Sequence, residues 1–474
     1  MDVQKLLICK QDLQRFSNRN LQVLAKHRDV TASNKCDLCW LLSIDIISKN
    51  KHAAMDPAEA RLLSLPPEMI FEIGLKIPVV DIWRICAAHP QLNTILCDNN
   101  SYWHTRYIQD FGKRDIKVTD WKKEYISIGD MRACGKNNDG QLGMGDTFNR
   151  LILTKIPNIR TKSVACGNDH TIVIDLNNNI WCCGDNDYGQ LGLGDTNNRN
   201  VLIQIPNFKA KAVACGYYYT VVIDLDNNVW CCGENDRGQL GLGDTKEHTI
   251  LTPISNFKAK AVACGNAHTV VIDLEDHLWG CGVAEELQLG LPEDDYDDQL
   301  ILVKIPNTFI NGKTKSVSCA TSFTVVIDQE NNIWVTGSNE EGLGFGILKD
   351  IEKLTQIPNF KAKSVSCGNH YTIVIDLEDN IWGWGTNNEG QLGLGDNNVR
   401  TVLTQIPGMK AKSVACGEFH TIVIDLEDNI WGCGNNSYGQ LGLNKRRGGP
   451  VLIQIPNTKA KSVACGSEHT ISLS

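Results

Sequence analysis

The chain has 474 residues, of which 42% are hydrophobic and 21% charged, an ordinary balance for a globular protein of two or three domains. No apolar run approaches the ~18–20 residues needed to span a bilayer. Charges interrupt the short apolar stretch at the N-terminus, so it does not read as a secretory signal, and an intracellular location, in cytoplasm or nucleus, is expected. The net charge of −9 is unevenly placed: residues 1–125 carry 18 basic and 15 acidic side chains, residues 126–474 carry 28 and 40. A surplus of 12 negative charges argues against generic binding to nucleic acid, whose phosphates require counter-charge.

Residues 1–55 lean towards helix and carry no functional pattern. Cys36 and Cys39 form a lone Cys-x-x-Cys with no second pair at zinc spacing, and Cys39 runs into the apolar Trp40-Leu41-Leu42, which favours a core role. Within residues 56–115, Leu65-Pro66-Pro67-Glu68-Met69-Ile70 opens a helical pattern with apolar residues at Met69, Ile70, Ile73 and Ile77, and Pro66-Pro67 sits where a helix begins without losing bonded N–H groups. Pro78-Val79-Val80-Asp81-Ile82, then Cys86 and Trp103, follow. This stretch resembles an F-box, although His89-Pro90-Gln91-Leu92 stands where that family usually has a tryptophan, and proline there predicts an early helix break. The resemblance implies a Skp-type adaptor and a cullin ubiquitin ligase as partners. Leu65, Pro66, Ile70 and Leu75 are the expected adaptor-binding positions. A plain helical cap is the alternative.

From residue 128 to 474 the chain repeats itself. Cys166, Cys215, Cys264, Cys319, Cys367, Cys416 and Cys465 are spaced by 49, 49, 55, 48, 49 and 49 residues. A threonine follows each by five residues, from Thr171 to Thr470; an aspartate follows six of them by nine and a tryptophan by fifteen, as in Asp175 and Trp181. Each unit reads as four short strands: Lys-Ser-Val-Ala-Cys, an alternating His-Thr-Ile-Val-Ile-Asp, an Asx-bounded Ile-Trp-Cys-Cys, and Val-Leu-Ile-Gln-Ile after a glycine-rich loop. Four strands in about 49 residues is the size of a propeller blade. The loop Gly184-Asp185-Asn186-Asp187-Tyr188-Gly189-Gln190-Leu191-Gly192-Leu193-Gly194-Asp195, repeated at 385–396, is similar to the regulator of chromosome condensation repeat. That resemblance implies a mainly β fold, a seven-bladed β-propeller of four-stranded blades, preceded here by the small all-α F-box-like module. The last copy has only its first two strands and the first copy, Met131–Gly135, begins at the third, so one blade is expected to be shared between the two ends of the array. The combination, with its near-identical copies, also resembles proteins of giant amoebal DNA viruses.

Most repeated residues read as structural. Of 19 cysteines, 14 fall at repeated positions, where a reduced thiol packs as a small hydrophobe. His170, His268, His420 and His469 share their position with Tyr219, Phe323 and Tyr371, which favours inter-blade packing over metal binding. No phosphate loop, nucleophile elbow or paired-carboxylate pattern appears, so no catalytic residue, cofactor or metal is expected. The unit between Cys264 and Cys319 is longer and breaks the loop pattern; its Asp294, Asp295, Tyr296, Asp297 and Asp298 are the candidate target-binding residues. The function expected is a monomeric, non-catalytic substrate receptor of a cullin-type ligase that captures an unidentified protein, with nucleotide exchange on a small GTPase or a structural (virion) scaffold as alternatives.

Overall fold

A computed structural model of the chain describes residues 129–292, 297–306, 313–339 and 342–474, together with residues 92–111 and scattered positions before and after them (67, 70, 71, 75, 82, 86 and 122). The chain divides into two compact units, Met1–Ser127 and Ile128–Ser474.

In the first unit a π-helical turn, Asn93–Cys97, leads to α1, Asn100–Phe111. The Asn99 side chain caps α1 by accepting the N–H groups of Ser101 (3.0 Å) and Tyr102 (3.2 Å), the role short polar side chains play at helix starts. Ile70, Leu75, Ile82, Leu92, Leu96, Tyr102 and Trp103 are buried. The Trp103 indole donates to the carbonyl of Cys97 at 2.9 Å, so its one polar atom is satisfied. Cys86 and Cys97, which lie outside the repeats, are joined as a disulfide with Cα atoms 6.4 Å apart. The cysteines of the repeats are all free.

The second unit is a ring of seven four-stranded antiparallel blades. Blade 1 takes β1 (Asp130–Gly135) and the first half of β2 (Arg150–Cys166) from one end of the repeat array. It takes β22 (Ser462–Cys465) and β23 (His469–Leu473) from the other. Met131, Ala133 and Gly135 of β1 face Leu473, Ile471 and His469 of β23, and Gly129 N–H donates to Ser474 O at 2.8 Å. The shared blade expected from the repeat phase is therefore present, and it closes the sheet edges that would otherwise be left open.

Blade 2 is built from the second half of β2, then β3 (His170–Asp175), β4 (Asn179–Gly184) and the first half of β5 (Arg199–Cys215). The same plan repeats through β6 (Tyr219–Asp224), β7 (Asn228–Gly233) and β8 (His248–Cys264) in blade 3, and β9 (His268–Asp273), β10 (Leu278–Gly282) and β11 (Gln299–Lys304) in blade 4. Blade 5 contains β12 (Thr314–Cys319), β13 (Phe323–Asp328), β14 (Asn332–Gly337) and the start of β15 (Ile351–Cys367). Blade 6 adds β16 (Tyr371–Asp376), β17 (Asn380–Gly385) and β18 (Arg400–Cys416); blade 7 adds β19 (His420–Asp425), β20 (Asn429–Gly434) and β21 (Gly449–Lys459). The 17-residue strands β2, β5, β8, β15 and β18 serve two blades each: their first half is the outer strand of one, their second half the inner strand of the next. The conserved spacing of the units follows from this sharing.

The core is distributed over the seams. One apolar cluster lies at each of the seven junctions; between blades 2 and 3, Ile172, Ile174, Ile180 and Cys182 pack with Val222, Trp230 and Leu251 of the neighbour. The second strand of each blade is buried on both faces, which is why it reads as an unbroken β-branched run such as Thr-Ile-Val-Ile.

Candidate binding surfaces of the propeller

The repeated polar residues are consumed by the architecture. Asp175 Oδ1 accepts the N–H groups of Asn177 (2.8 Å) and Asn179 (2.9 Å), and its Oδ2 accepts from Asn179 Nδ2 (2.8 Å) and the Trp181 indole (3.0 Å). Asp376 is bound in the same way by Glu378, Asn380 and Trp382. Burial pushes the Asp376 carboxyl up, but these donors outweigh it and hold its pKa below the usual carboxylate range. The aspartate thus ties the β3–β4 type of turn to the tryptophan that fills the seam.

A second set of bonds crosses between blades. Gln141 O accepts Thr171 Oγ1–H at 2.8 Å and the Cys183 thiol at 3.4 Å from the next blade, and Gln190 O does the same for Thr220 and Cys232. The repeated threonine and the second repeated cysteine are explained by this one carbonyl. Because Thr171 gives its proton to Gln141, its oxygen accepts from His469 Nε2–H at 3.0 Å, and Thr220 and Thr470 accept likewise from His170 (3.1 Å) and His420 (2.9 Å). These histidines are neutral, with the proton on Nε2. Burial, with His469 adding to it for His170 and His420, lowers their pKa to about 3. Tyr219 and Tyr371 occupy the same position and donate instead to His268 O (2.6 Å) and His420 O (2.5 Å) of the following blade. A flat ring joining blades is what the position requires. Among the described residues, no group of three or more His, Cys, Asp or Glu side chains is placed to hold a metal.

The glycine-rich loop is the third stitch. Asn186 Oδ1 accepts Leu191 N–H (2.9 Å) and its Nδ2 reaches Asp195 O (2.8 Å), folding the loop on itself, while Gly194 N–H donates to Thr249 O (2.8 Å) on the outer strand of the next blade. Equivalent loop-to-neighbour bonds run from Gly145, Gly243, Gly346, Gly395 and Asn444. In blade 4 the position is Pro292, which has no N–H to give, and Ala284 replaces the asparagine. Across the seam with blade 3, Arg237 pairs with both sides of this loop, Glu285 at 2.5 Å and Asp298 at 2.6 Å.

Two of the five predicted target-binding residues, Asp297 and Asp298, fall among the described ones. Asp298 is engaged by Arg237 and serves to anchor the loop, whereas Asp297 remains exposed. Asp294, Asp295 and Tyr296 lie outside the described residues, as do Leu65 and Pro66 of the adaptor site and the Cys36–Cys39 pair. Ile70 and Leu75 are 3% and 9% exposed, covered by the chain's own residues.

The rim of the central channel is the next candidate after the acidic loop, but the sequence does not name its lining residues. The inner strands converge on a narrow space of about 110 Å³ lined by the seven repeat cysteines and by the residues that follow them, among them Asn168, Tyr217, Thr321, Asn369, Glu418 and Ser467. Beside it Lys136 pairs with Asp169 (3.1 Å) and Glu468 (3.5 Å). Burial opposes the Lys136 charge, but the two carboxylates outweigh it and raise its pKa. Asp139, Asp185, Glu234 and Glu468 have pKa values above their ordinary ones, in each case first through burial; Asp169 adds to this at Asp139 and Asp236 at Glu234, whereas the Asp187 N–H acts in the opposite direction at Asp185 and Lys136 does so at Glu468. Tyr188, Tyr217 and Tyr218 cluster there with ring centroids 5.1 and 5.3 Å apart. The signal in the sequence was variation: the third position after each repeat cysteine holds Asp169, Tyr218, Ala267, Ser322, His370, Phe419 and Glu468, and the position before it varies as well, while the cysteine and the threonine two positions further on recur.

Seven four-stranded blades, closed by a blade shared between the ends and stitched by glycine-rich loops, define a repeat propeller of the regulator of chromosome condensation type. The RCC1-like domain family matches residues 203–474, and regulator of chromosome condensation (RCC1) repeats match 129–174, 177–223 and 162–190; the chain belongs to this family. No curated protein sequence matches it. Among solved structures it is similar to human WBSCR16, with 18% identity and a TM-score of 0.65 over 73% of this chain and 98% of that one. It is also similar to Saccharomyces cerevisiae Prp20p, with 18% identity and a TM-score of 0.65 over 75% and 94%, in a structure concerned with binding to Gsp1p and histones. Yeast RCC1 (Prp20) bound to Kap60 gives 18% identity and a TM-score of 0.64 over 72% and 88%. At this identity the likeness speaks for the fold.

Proposed function

We propose that the chain is a non-catalytic protein-binding adaptor whose propeller captures a target and whose F-box-like module docks a Skp-type adaptor of a cullin ubiquitin ligase. The observation that carries the binding role is the division of labour within the repeat. The recurrent Asp, Trp, Thr, Gln and Asn side chains are spent on turns and seams, while the variable residues collect at one channel mouth as carboxylates and tyrosines with Lys136 among them. Such a surface suits a basic protein segment. The ligase connection rests on the Leu65-Pro66-x-Glu68-Met69 pattern, with Trp103 packed inside the module. Of the expected adaptor-binding positions, Ile70 and Leu75 are buried, and Leu65 is the one to change.

A pull-down of the intact chain with a Skp-type adaptor, a cullin and small GTPases tests this directly. Binding to adaptor and cullin, lost in Leu65→Asp with the melting temperature of the propeller unchanged, is the expected result, since a charge in a desolvated apolar contact is costly. Failure of the wild-type chain to bind any Skp-type adaptor would reject the ligase role. Nucleotide exchange on a small GTPase is the second reading, supported by the fold shared with Prp20p; GTPase capture without adaptor would favour it.

A further inference from the structure

Three seams carry the same aromatic pair. Phe208, Phe257 and Phe360, each in the middle of a long shared strand, meet the tryptophan of the blade they enter edge to face: Phe208 and Trp230 at 5.1 Å, Phe257 and Trp279 at 5.4 Å, Phe360 and Trp382 at 5.2 Å. Each phenylalanine follows an asparagine with positive φ, namely Asn207, Asn256 and Asn359. Where β18 enters blade 7 the pair of residues changes to Gly408-Met409, opposite Trp431. A Cβ added at Gly408 would meet nothing within 4 Å. Here a groove of about 630 Å³ opens, lined by Leu394, Pro407, Met409, Leu426, Trp431 and Val451. Leu426 and Val451 are 47% and 49% exposed at its edge. The Trp431 indole is fixed by Asp425 at 2.9 Å, so the wall is preformed.

We propose that this groove is a docking site for an extended segment of a partner protein that inserts an aromatic side chain flanked by lysine or arginine. The aromatic preference follows from the three intramolecular precedents, in which the chain itself places a phenylalanine ring against the equivalent tryptophan; Met409 leaves that position for a ring supplied from outside. A methionine wall suits such a role because its unbranched thioether adapts to and contacts aromatic rings favourably. The volume lies within the range of clefts that bury a small-molecule-sized ligand, enough for an aromatic side chain with its neighbouring backbone. The basic flank follows from charge: Asp425 and Glu427 line the groove against one cation, Lys410, which donates to the carbonyl of Glu378 at 2.7 Å, and residues 126–474 as a whole carry 28 basic and 40 acidic side chains. The proposal rests on the propeller being a protein-binding platform and is independent of any ligase partner, so its test and the adaptor pull-down can fail separately.

The test uses the full chain labelled with ¹³C-methyl methionine, in which six methionines give few signals and Met409→Leu assigns the one in the groove. The probe is the peptide acetyl-Lys-Phe-Lys-amide carrying 4-fluorophenylalanine, with acetyl-Lys-Ala-Lys-amide as control. A saturable shift of the Met409 methyl with the aromatic peptide only is expected, with the ¹⁹F line of the bound peptide broadened. Met409→Phe, which fills the groove as the three phenylalanine seams are filled, and Leu426→Ser at its rim should each weaken binding at least fivefold while the far-ultraviolet spectrum stays unchanged. Equal shifts with both peptides, or undiminished binding to Met409→Phe, would overturn the proposal. So would a concentration-dependent self-association abolished by Phe148→Ala, because Phe148 is 73% exposed and would identify a second copy of the chain as the occupant.

Discussion

At the scale of the residue, the buried histidines make the ring sensitive to acid. His170, His268, His420 and His469 have pKa values lowered to about 3 by burial, against about 6.5 in an unfolded chain. Between those values the unfolded state binds more protons, so stability is intact above about pH 6.5 and is lost progressively as the pH falls towards 3. Urea midpoints measured from pH 7.5 to 4 should therefore decline. His420→Tyr, which installs the ring found at Tyr219 and Tyr371, should retain the fold and flatten the decline by the share of one histidine. An identical pH profile in the variant would show that His420 does not titrate on unfolding. At the turn, Asp376→Ala leaves the Trp382 indole and the N–H groups of Glu378 and Asn380 without their acceptor and should cost about 1–3 kcal/mol, read from equilibrium denaturation.

At the scale of the element, the glycine-rich stretch divides into positions that need glycine for space and positions that need it only for conformation. Gly184 has φ +103°, and a Cβ there would stand 2.3 Å from Asp169 O and 2.7 Å from the His170 backbone, so the end of β4 would have to leave β3. Gly395 also has positive φ, +90°, yet a Cβ there meets nothing within 4 Å. Gly395→Ala should cost only the left-handed backbone penalty of about 1–2 kcal/mol, whereas Gly184→Ala should prevent stable folding; thermal melts of the two variants compare them directly. Equal losses would mean that the contact across β3 and β4 does not set the requirement. The loop of blade 4 shows the complementary lesson: Pro292 and Ala284 replace the stitching residues there, and the two sides of the loop are held together by Arg237 of blade 3 through Glu285 and Asp298.

At the scale of the whole molecule, closure depends on strands separated by the length of the array. Removing residues 461–474 takes away β22 and β23 and leaves β1 with an open edge, which exposes unpaired N–H and C=O groups. The truncated chain should melt at a markedly lower temperature and aggregate, and loss of residues 128–145 should do the same from the other side. Deletion of residues 1–50 should leave the melting of the propeller unchanged. An unaltered melting temperature after loss of 461–474 would show that the shared blade contributes little.

Much of the fold was readable because it is repeated. Seven cysteines in register, each followed by threonine and six of them by aspartate and tryptophan at constant intervals, determine the number of blades, the phase of the strands and the need for a shared one, since each role recurs until its pattern exceeds chance. What sets one copy apart was not readable in that way. The carboxylates and tyrosines at the channel mouth come from three or more units and from positions with no pattern, so only closure of the ring brings Lys136 to Asp169 and Glu468, residues more than 330 positions apart at the extreme. The engagement of Asp298 by Arg237 likewise joins two blades and turned an apparently free acidic loop into a partly anchored one. Local spacing determines which strands form and in what order, because hydrogen bonding and side-chain alternation act over a few residues; which side chains meet at a seam or a mouth is decided only when seven such units pack around one axis.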